Sequence, residues 1–409
     1  MNHGAQRFVP QQLRRRGQKG LTVLAVVAVF VSGFALGSLR APTVSAAAPA
    51  VPVVSDDTMR LFAPFWQAWG LMHRSYVDPL DDNALMEGAI GGMMDAVGDR
   101  HTNYYDAATY RSINEEMAGQ FSGIGATIRK DLKSGAFTIV TTLPDSPARE
   151  SGLLPGDVIA AIDGVDVGLI GETKLISKIR GQSGTTVTLG VLRGDDPTVV
   201  KIPITRRLIV LQTVETHMYA GNIGYIALRE FNDKATSEFR KGLRALNPDI
   251  LKGLILDLRG NPGGYLTTAV DVTSQFLGRG NVLIEKDKGG TEQVFPVNGR
   301  PLAPDVPLIV LVDAGSASAS ELVSGALQDY GRATILGEQT YGKGSVQIVE
   351  PLNNGGAAHI TIARWYTPLG RSIQGIGITP DVKVTWEAEK MPDRDLQLEQ
   401  ALLILRGEL

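Results

Sequence analysis

Three serines at alternating positions, Ser316, Ser318 and Ser320, stand in the stretch "AGSASASELVSGALQDYG" (314–331). A serine hydroxyl becomes a useful nucleophile when a neighbouring base takes its proton. The sequence has no cysteine, which excludes disulfides, thiol catalysis and thiolate metal sites. Its five histidines, His3, His73, His101, His217 and His359, are scattered, and no G-x-S-x-G elbow surrounds the serines. Another base is on offer. Lys343 lies in "GEQTYGKGSVQIVE", in a turn between Gly342 and Gly344. Serine–lysine pairs are a variant of the triad logic, and a lysine can accept a proton once desolvation has lowered its pKa. A second stretch, "LDLRGNPGGYL", brings glycine-rich backbone whose amides can face a developing oxyanion. Plainer readings stay open at this point. Ser318-x-x-Glu321 has the form of a capping box, Ser316 could cap the same helix, and most lysines are surface residues.

These residues need elements to hold them. From Arg207 onward apolar strands alternate with helices: "NIGYIAL", "LKGLILDLRG", "PLIVLVDAG" and "ATILGE" read as strands, with "DKATSEFRKGLRAL", "YLTTAVDVTSQFLG" and "SELVSGALQDYG" as helices. That alternation predicts an α/β sheet with helices on its faces. Both candidate stretches leave carboxyl ends of strands, where open α/β sheets place their sites. Residues 119 to 206 have a different texture, short β-rich runs broken by Gly, Pro and Asp with one helix. Residues 56 to 118 read as helical, with apolar spacings of three and four in "TMRLFAPFWQAWGLMHRSYV". Residues 386 to 409 read as a C-terminal helical tail.

The N-terminus speaks to compartment. Residues 1–20 carry Arg14, Arg15, Arg16 and Lys19, and the nineteen residues from Leu21 to Leu39 hold no charge. That length can span a bilayer with the basic side kept cytoplasmic. Residues 41–55 form a Pro/Ala-rich linker, and Val44-Ser45-Ala46 has the pattern of a signal-peptidase site. The expectation is a signal peptide or membrane anchor over 21–40, with the rest outside the cytoplasm. A net charge of −3 without a basic block beyond the N-terminus disfavours nucleic-acid binding.

The motifs together resemble the carboxy-terminal processing peptidases, or tail-specific proteases. "GSASASE…ALQDYGRATILGEQTYGKGSVQ" is similar to their catalytic segment, "DLRGNPGG" to their glycine motif, and "YTPLGRSIQGIGITPDV" to their C-terminal signature. "GQFSGIGATI" and "SPARESGLLPGDVIAAIDGVDV" resemble the PDZ domain inserted in that family. The resemblance implies a mixed α/β fold: an N-terminal helical region (56–118), a PDZ domain (119–206) and a serine peptidase core (207–385). It implies Ser318 as nucleophile, Lys343 as general base and Gln347 as the residue that orients the base. The oxyanion would sit between the amides of Ala319 and Gly264, with Gly263 beside it. Gly123, Ile124, Gly125 and Ala126 would form the loop that captures a substrate's C-terminal carboxylate. No cofactor or metal is implied. Partners would be proteins with a free, apolar, unstructured C-terminus. His101 reads as structural, Trp365 and Tyr366 as packing or cleft residues, and the helices at 56–117 as a candidate dimer contact through Trp66, Trp69 and Leu71. Two other readings are an inactive PDZ scaffold, which the intact Ser318, Lys343 and Gln347 disfavour, and an enoyl-CoA hydratase-like enzyme, which would need neither export nor a PDZ insert.

Overall fold

The computed structural model describes residues 55–130, 135–169, 172–194, 196–386 and 394–408. The apolar segment at 21–40 and the cleavage motif at 44–46 lie outside them. The chain divides into two compact units, Met1–Leu80 and Asp81–Leu409.

In the first unit, α1 (Asp56–Leu61) and α2 (Ala63–Ser75) follow one another. Ser55 caps α1 through its side chain, and Pro64 sits in the first turn of α2, where its missing N–H costs nothing. Neither helix buries a residue. Phe62, Trp66, Leu71 and Met72 are exposed, and Phe65 meets Trp66 edge-on at 5.0 Å.

The second unit opens with α3 (Asp82–Asp95), capped by Asp81, then β1 (Asn103–Tyr105) and α4 (Ala107–Met117), capped by Asp106. The short strand β1 interrupts a stretch whose sequence reads as helical.

A β-rich module follows: β2 (Gln120–Gly123), β3 (Ala126–Lys130), β4 (Phe137–Thr142), α5 (Pro147–Glu150), β5 (Val158–Ile162), β6 (Val165–Asp166), α6 (Glu172–Ile179), β7 (Thr186–Arg193), β8 (Asp196–Thr205) and β9 (Arg207–Val210). Its main sheet runs β3-β4-β5-β7-β8, so β3 is an edge strand. Ile139, Leu153, Leu175, Val187, Leu189 and Ile204 form a core closed by α6. The incoming and outgoing strands, β2 and β9, pair with each other.

The remainder is built on a sheet of order β10-β11-β12-β15-β16-β19, comprising β10 (Val214–Tyr219), β11 (Ile223–Leu228), β12 (Gly253–Asp257), β15 (Leu308–Val312), β16 (Thr334–Gly337) and β19 (Val382–Lys383). β10 is antiparallel to its neighbour; the others are parallel. Such strands are buried on both faces, as their unbroken apolar runs require. Leu254 and Leu256 join the larger core beneath α7 (Ala235–Ala245), α8 (Leu266–Thr273) and α9 (Ala319–Asp329), while Ile255 faces the smaller core closed by α10 (Leu396–Arg406). A second sheet, not legible in the sequence, joins β1, β13 (Asn281–Asp287), β14 (Glu292–Pro296), β17 (Ser345–Pro351) and β18 (Ala357–Tyr366). Trp365 on β18 is 2% exposed and packs in the larger core, one of its two expected places.

Candidate active site

The loops after β12, β15 and β16 leave the same end of the parallel sheet, and they carry the serines, the glycines and Lys343. They are laced together by buried side chains. The Ser316 hydroxyl donates to the Leu258 carbonyl at 2.8 Å, and the Ser320 hydroxyl donates to the Asn261 carbonyl at 2.9 Å. Both serines are fully buried. They fasten the serine loop to the glycine loop, which leaves Ser318, half-buried between them, as the serine at the cleft.

Ser318 has φ +54° and ψ −112°, with the Ser320 N–H donating to the Ala317 carbonyl at 3.0 Å. These are the dihedrals of the first central position of a type II′ turn, a place that ordinarily takes glycine. A serine there is strained by about 1–3 kcal/mol, and strain of this kind clusters at functional positions. The capping-box pattern also forms: the Ser318 N–H donates to Glu321 Oε2 at 2.8 Å. The Glu321 arm of a capping box is therefore in place while Ser318 holds the strained turn position.

Glu321 does more than cap. Its carboxylate is fully buried. Oε2 also accepts from the Lys343 N–H at 2.9 Å, and Oε1 accepts from the Gly342 N–H at 2.7 Å and the Thr340 hydroxyl at 2.6 Å. One oxygen thus receives the backbone amides of both Ser318 and Lys343, two residues twenty-five positions apart. Sequence reasoning saw only a cap in this residue, because nothing local shows that the Lys343 turn reaches it.

Lys343 is half-buried. Burial pushes its pKa down from the ordinary lysine value, while the carboxylates of Asp99 and Glu321 pull the other way without overcoming it. His101 and His359 lie in the same electrostatic neighbourhood. Burial, then Lys343, push both imidazoles down, and His359 falls to about 4. The Tyr105 hydroxyl meets His359 Nδ1 at 2.9 Å with the rings stacked. Gln347, opposite Thr361 on the β17–β18 ladder, donates from Nε2 to Ser345 Oγ at 2.8 Å and to Thr361 Oγ1 at 3.1 Å.

Among the expected oxyanion donors, the amides of Ala319 and Gly264 carry no hydrogen bond among the described residues. The Gly263 N–H does: it donates to Asn261 Oδ1 at 2.9 Å. Gly263 thus stands beside the two free amides with its own N–H held by Asn261. Gly263 serves close approach instead. At φ +110°, a Cβ there would lie 2.8 Å from Ser318 Cβ and 2.9 Å from the Ala317 carbonyl oxygen.

In the β-rich module, Gly123 ends β2 and Ala126 begins β3, with Ile124 and Gly125 forming the link between them. The carbonyls of Ile124 and Gly125 accept from Ala148 and Leu143 at 2.8 and 2.9 Å. Gly125, at φ +74°, has no room for a Cβ, which would stand 2.5 Å from Ser146 Cβ. Helix α4 grips the module: Glu115 accepts from the Ser122 N–H at 2.8 Å, and Arg180 pairs with Glu116. Asp329, whose carboxyl is buried, pairs with Arg371 and accepts from the Leu369 N–H at 2.8 Å, which orders the loop after β18.

A parallel sheet with a strained serine and a desolvated lysine, preceded by a compact β-rich module, is the arrangement of a serine peptidase with an inserted domain. Residues 222–384 match peptidase family S41, residues 138–193 match a PDZ domain, and residues 46–109 match the N-terminal domain of the activating protease CtpB. The chain is 37% identical over 360 residues to a carboxy-terminal-processing protease of Bartonella bacilliformis, spanning 87% of this chain and 82% of that one. It is 31% identical over 369 residues to carboxy-terminal processing protease CtpB of Bacillus subtilis, spanning 88% and 75%. Among solved structures, the photosystem II D1 C-terminal processing protease aligns with a TM-score of 0.52 at 29% identity, over 78% of this chain and 92% of that one. The chain belongs to the carboxy-terminal-processing proteases of peptidase family S41, and it is a serine peptidase with a PDZ domain.

Proposed function

We propose that this is an exported endopeptidase that takes hold of apolar, unstructured C-terminal tails through its PDZ domain and cleaves by a Ser318–Lys343 dyad through an acyl-enzyme. The observation that carries the reading is the shared Glu321 oxygen, which gathers the amides of a strained serine and a desolvated lysine. Ser318 Oγ attacks the scissile carbonyl while Lys343 accepts its proton. The oxyanion settles between the Ala319 and Gly264 amides. Lys343 passes the proton to the leaving amine and then activates water for deacylation. Gln347 orients the base. The tail adds as a strand along the open edge of β3, its carboxylate at Gly123–Ala126, in the manner of peptide addition to a sheet edge.

The segment at 21–40, uncharged from Leu21 to Leu39, would deliver the body to the extracytoplasmic side, anchored or secreted. Sequencing the mature N-terminus decides between the two. The exposed Phe62, Trp66 and Leu71 at and along α2 support a homodimer contact, which a Trp66→Asp, Leu71→Asp variant should break in light scattering. The central test uses a reporter protein ending in an apolar tail, with Ser318→Ala and Lys343→Ala alongside. Cleavage by the wild type and by neither variant is expected. Cleavage by both variants at the wild-type rate removes the dyad.

A further inference from the structure

The turn that carries Lys343, residues 341–344, belongs to no helix or strand, so its backbone N–H groups have to find acceptors elsewhere. The Tyr341 N–H donates to the Ser316 carbonyl at 3.0 Å, and the Gly342 and Lys343 N–H groups donate to Glu321. The Gly344 N–H donates to Gln374 Oε1 at 2.9 Å. Two carbonyls of the turn are taken up as well. That of Gly342 accepts from the Gly375 N–H at 2.8 Å, and that of Gly344 accepts from the Trp365 N–H at 3.1 Å. Glu321 thus holds the turn from α9, and Gln374 with Gly375 holds it from the loop between β18 and β19. The loop and the turn meet without slack. A Cβ on Gly344 would stand 2.7 Å from the Gln374 backbone nitrogen, and one on Gly342, at φ +90°, would stand 2.9 Å from the Ile376 nitrogen. The loop is itself fixed. Ile373 and Ile378 are buried in the larger core, the Ile378 N–H donates to Thr340 Oγ1 at 2.6 Å, and Gln339 Nε2 donates to the Ile376 carbonyl at 2.6 Å. Asp329 orders its start through Leu369 and Arg371.

We infer that Gln374 is a positioning residue for the general base: its carboxamide oxygen completes the set of acceptors that fix the backbone of the Lys343 turn, so that the lysine is gripped on both sides. That role rests on the reading of Lys343 as base. It gives work to "YTPLGRSIQGIGITPDV", a stretch that otherwise has no part in the chemistry. The orientation of the carboxamide is set, because the Gly344 N–H can only donate and so has to meet the oxygen. Among the described residues Gln374 Nε2 has no protein acceptor. An oxygen can therefore replace that nitrogen without stranding a partner, and Gln374→Glu keeps the bond to Gly344 while adding a charge beside the turn. The charged or titratable groups already around the lysine are Glu321 on α9, Asp99, Arg100 and His101 before β1, Tyr105 on β1, and His359 and Arg364 on β18.

The test uses the full chain and the apolar-tailed reporter, with kcat, KM and thermal unfolding followed across pH. Gln374→Ala lowers kcat about tenfold, the size expected for one lost orienting bond, at temperatures where the variant is fully folded, and leaves KM unchanged. Gln374→Glu restores the plateau of kcat, because the acceptor returns. It also moves the acid limb of kcat/KM to higher pH, because the new carboxylate supports the protonated lysine. A side chain that only supported the fold would lower the melting temperature without splitting kcat from KM, and its replacement by Glu would leave the limb in place. Wild-type kcat in a folded Gln374→Ala, no recovery in Gln374→Glu, or an acid limb that stays put or moves downward in Gln374→Glu each overturn the positioning role. If Gln374→Ala does not fold, Gln374→Glu decides through its limb alone. Lys343→Ala separates the two levels. Its inactivity beside a fully active Gln374→Ala refutes the positioning role and leaves the base in place, whereas normal cleavage by Lys343→Ala overturns both.

Discussion

Replacement of Glu321 tests whether one carboxylate organises the site. Four donors converge on it, and three of them are backbone N–H groups that cannot turn away: Ser318 and Lys343 on Oε2, Gly342 on Oε1. The fourth, the Thr340 hydroxyl, also accepts from the Ile378 N–H at 2.6 Å. In Glu321→Gln the new amide group has to replace one oxygen. Facing it toward Oε2 would oppose two fixed N–H groups, so it takes the Oε1 side and opposes only Gly342. One buried donor is left unpaired, at about 1–3 kcal/mol. In Glu321→Ala all three fixed donors lose their acceptor, a cost of about 3 kcal/mol or more even if water enters the vacated space. Thermal unfolding should therefore rank wild type above Gln above Ala. Activity should fall with both changes, because the amides of Ser318 and Lys343 are no longer held to a common atom. The charge carries a second signature. Glu321 supports the protonated lysine, so its neutral replacement lowers the Lys343 pKa further and moves the acid limb of kcat/KM to lower pH. Equal unfolding temperatures for all three proteins, or wild-type cleavage by Glu321→Ala, would refute the reasoning.

Other outcomes follow from the same geometry. Gly263→Ala must push a methyl group against Ser318 Cβ at 2.8 Å and the Ala317 carbonyl at 2.9 Å from a backbone at φ +110°; cleavage should fall at least as steeply as the melting temperature, and an active variant would contradict it. Lys343→Met should be inactive and more stable than wild type at neutral pH in calorimetry. The folded lysine holds its proton less tightly than the unfolded one, whose value is near 10.5, so wild-type stability rises with pH between the two and the variant loses that slope. His359→Gln should flatten acid sensitivity. The unfolded chain takes up a proton below about 6.5 that the folded imidazole refuses until about 4, so wild-type stability falls as pH drops through that window; identical pH–stability curves would rule this out.

The serine, the lysine and the glycine turn were legible because strand ends advertise themselves: an apolar run stops, and small flexible residues begin. The left-handed backbone of Ser318 was not, since a serine before a helix reads as a cap, and here the cap forms as well. Glu321 was seen only as the far end of that box. Its bonds to Gly342 and Lys343 depend on where β16 delivers the next loop, which no local pattern encodes. The second sheet was missed because on β18 the alternation is inverted: Ile360 and Ile362 are exposed while His359 and Thr361 are half-buried. His101, read as structural, lies within electrostatic reach of the lysine.

The pairing of β2 with β9 has an evolutionary reading. The chain leaves the catalytic body for the PDZ module at Gly119 and returns at Leu211, and the Leu211 N–H donates to the Gly119 carbonyl at 3.1 Å. A whole domain is thus spliced in at a place the width of one hydrogen bond. Closing such a gap with a few residues costs little entropy, since loop cost depends only weakly on length. The module behaves as a cassette: it closes on itself at one hydrogen bond, so the strands of the catalytic sheet keep their register whatever lies between Gly119 and Leu211.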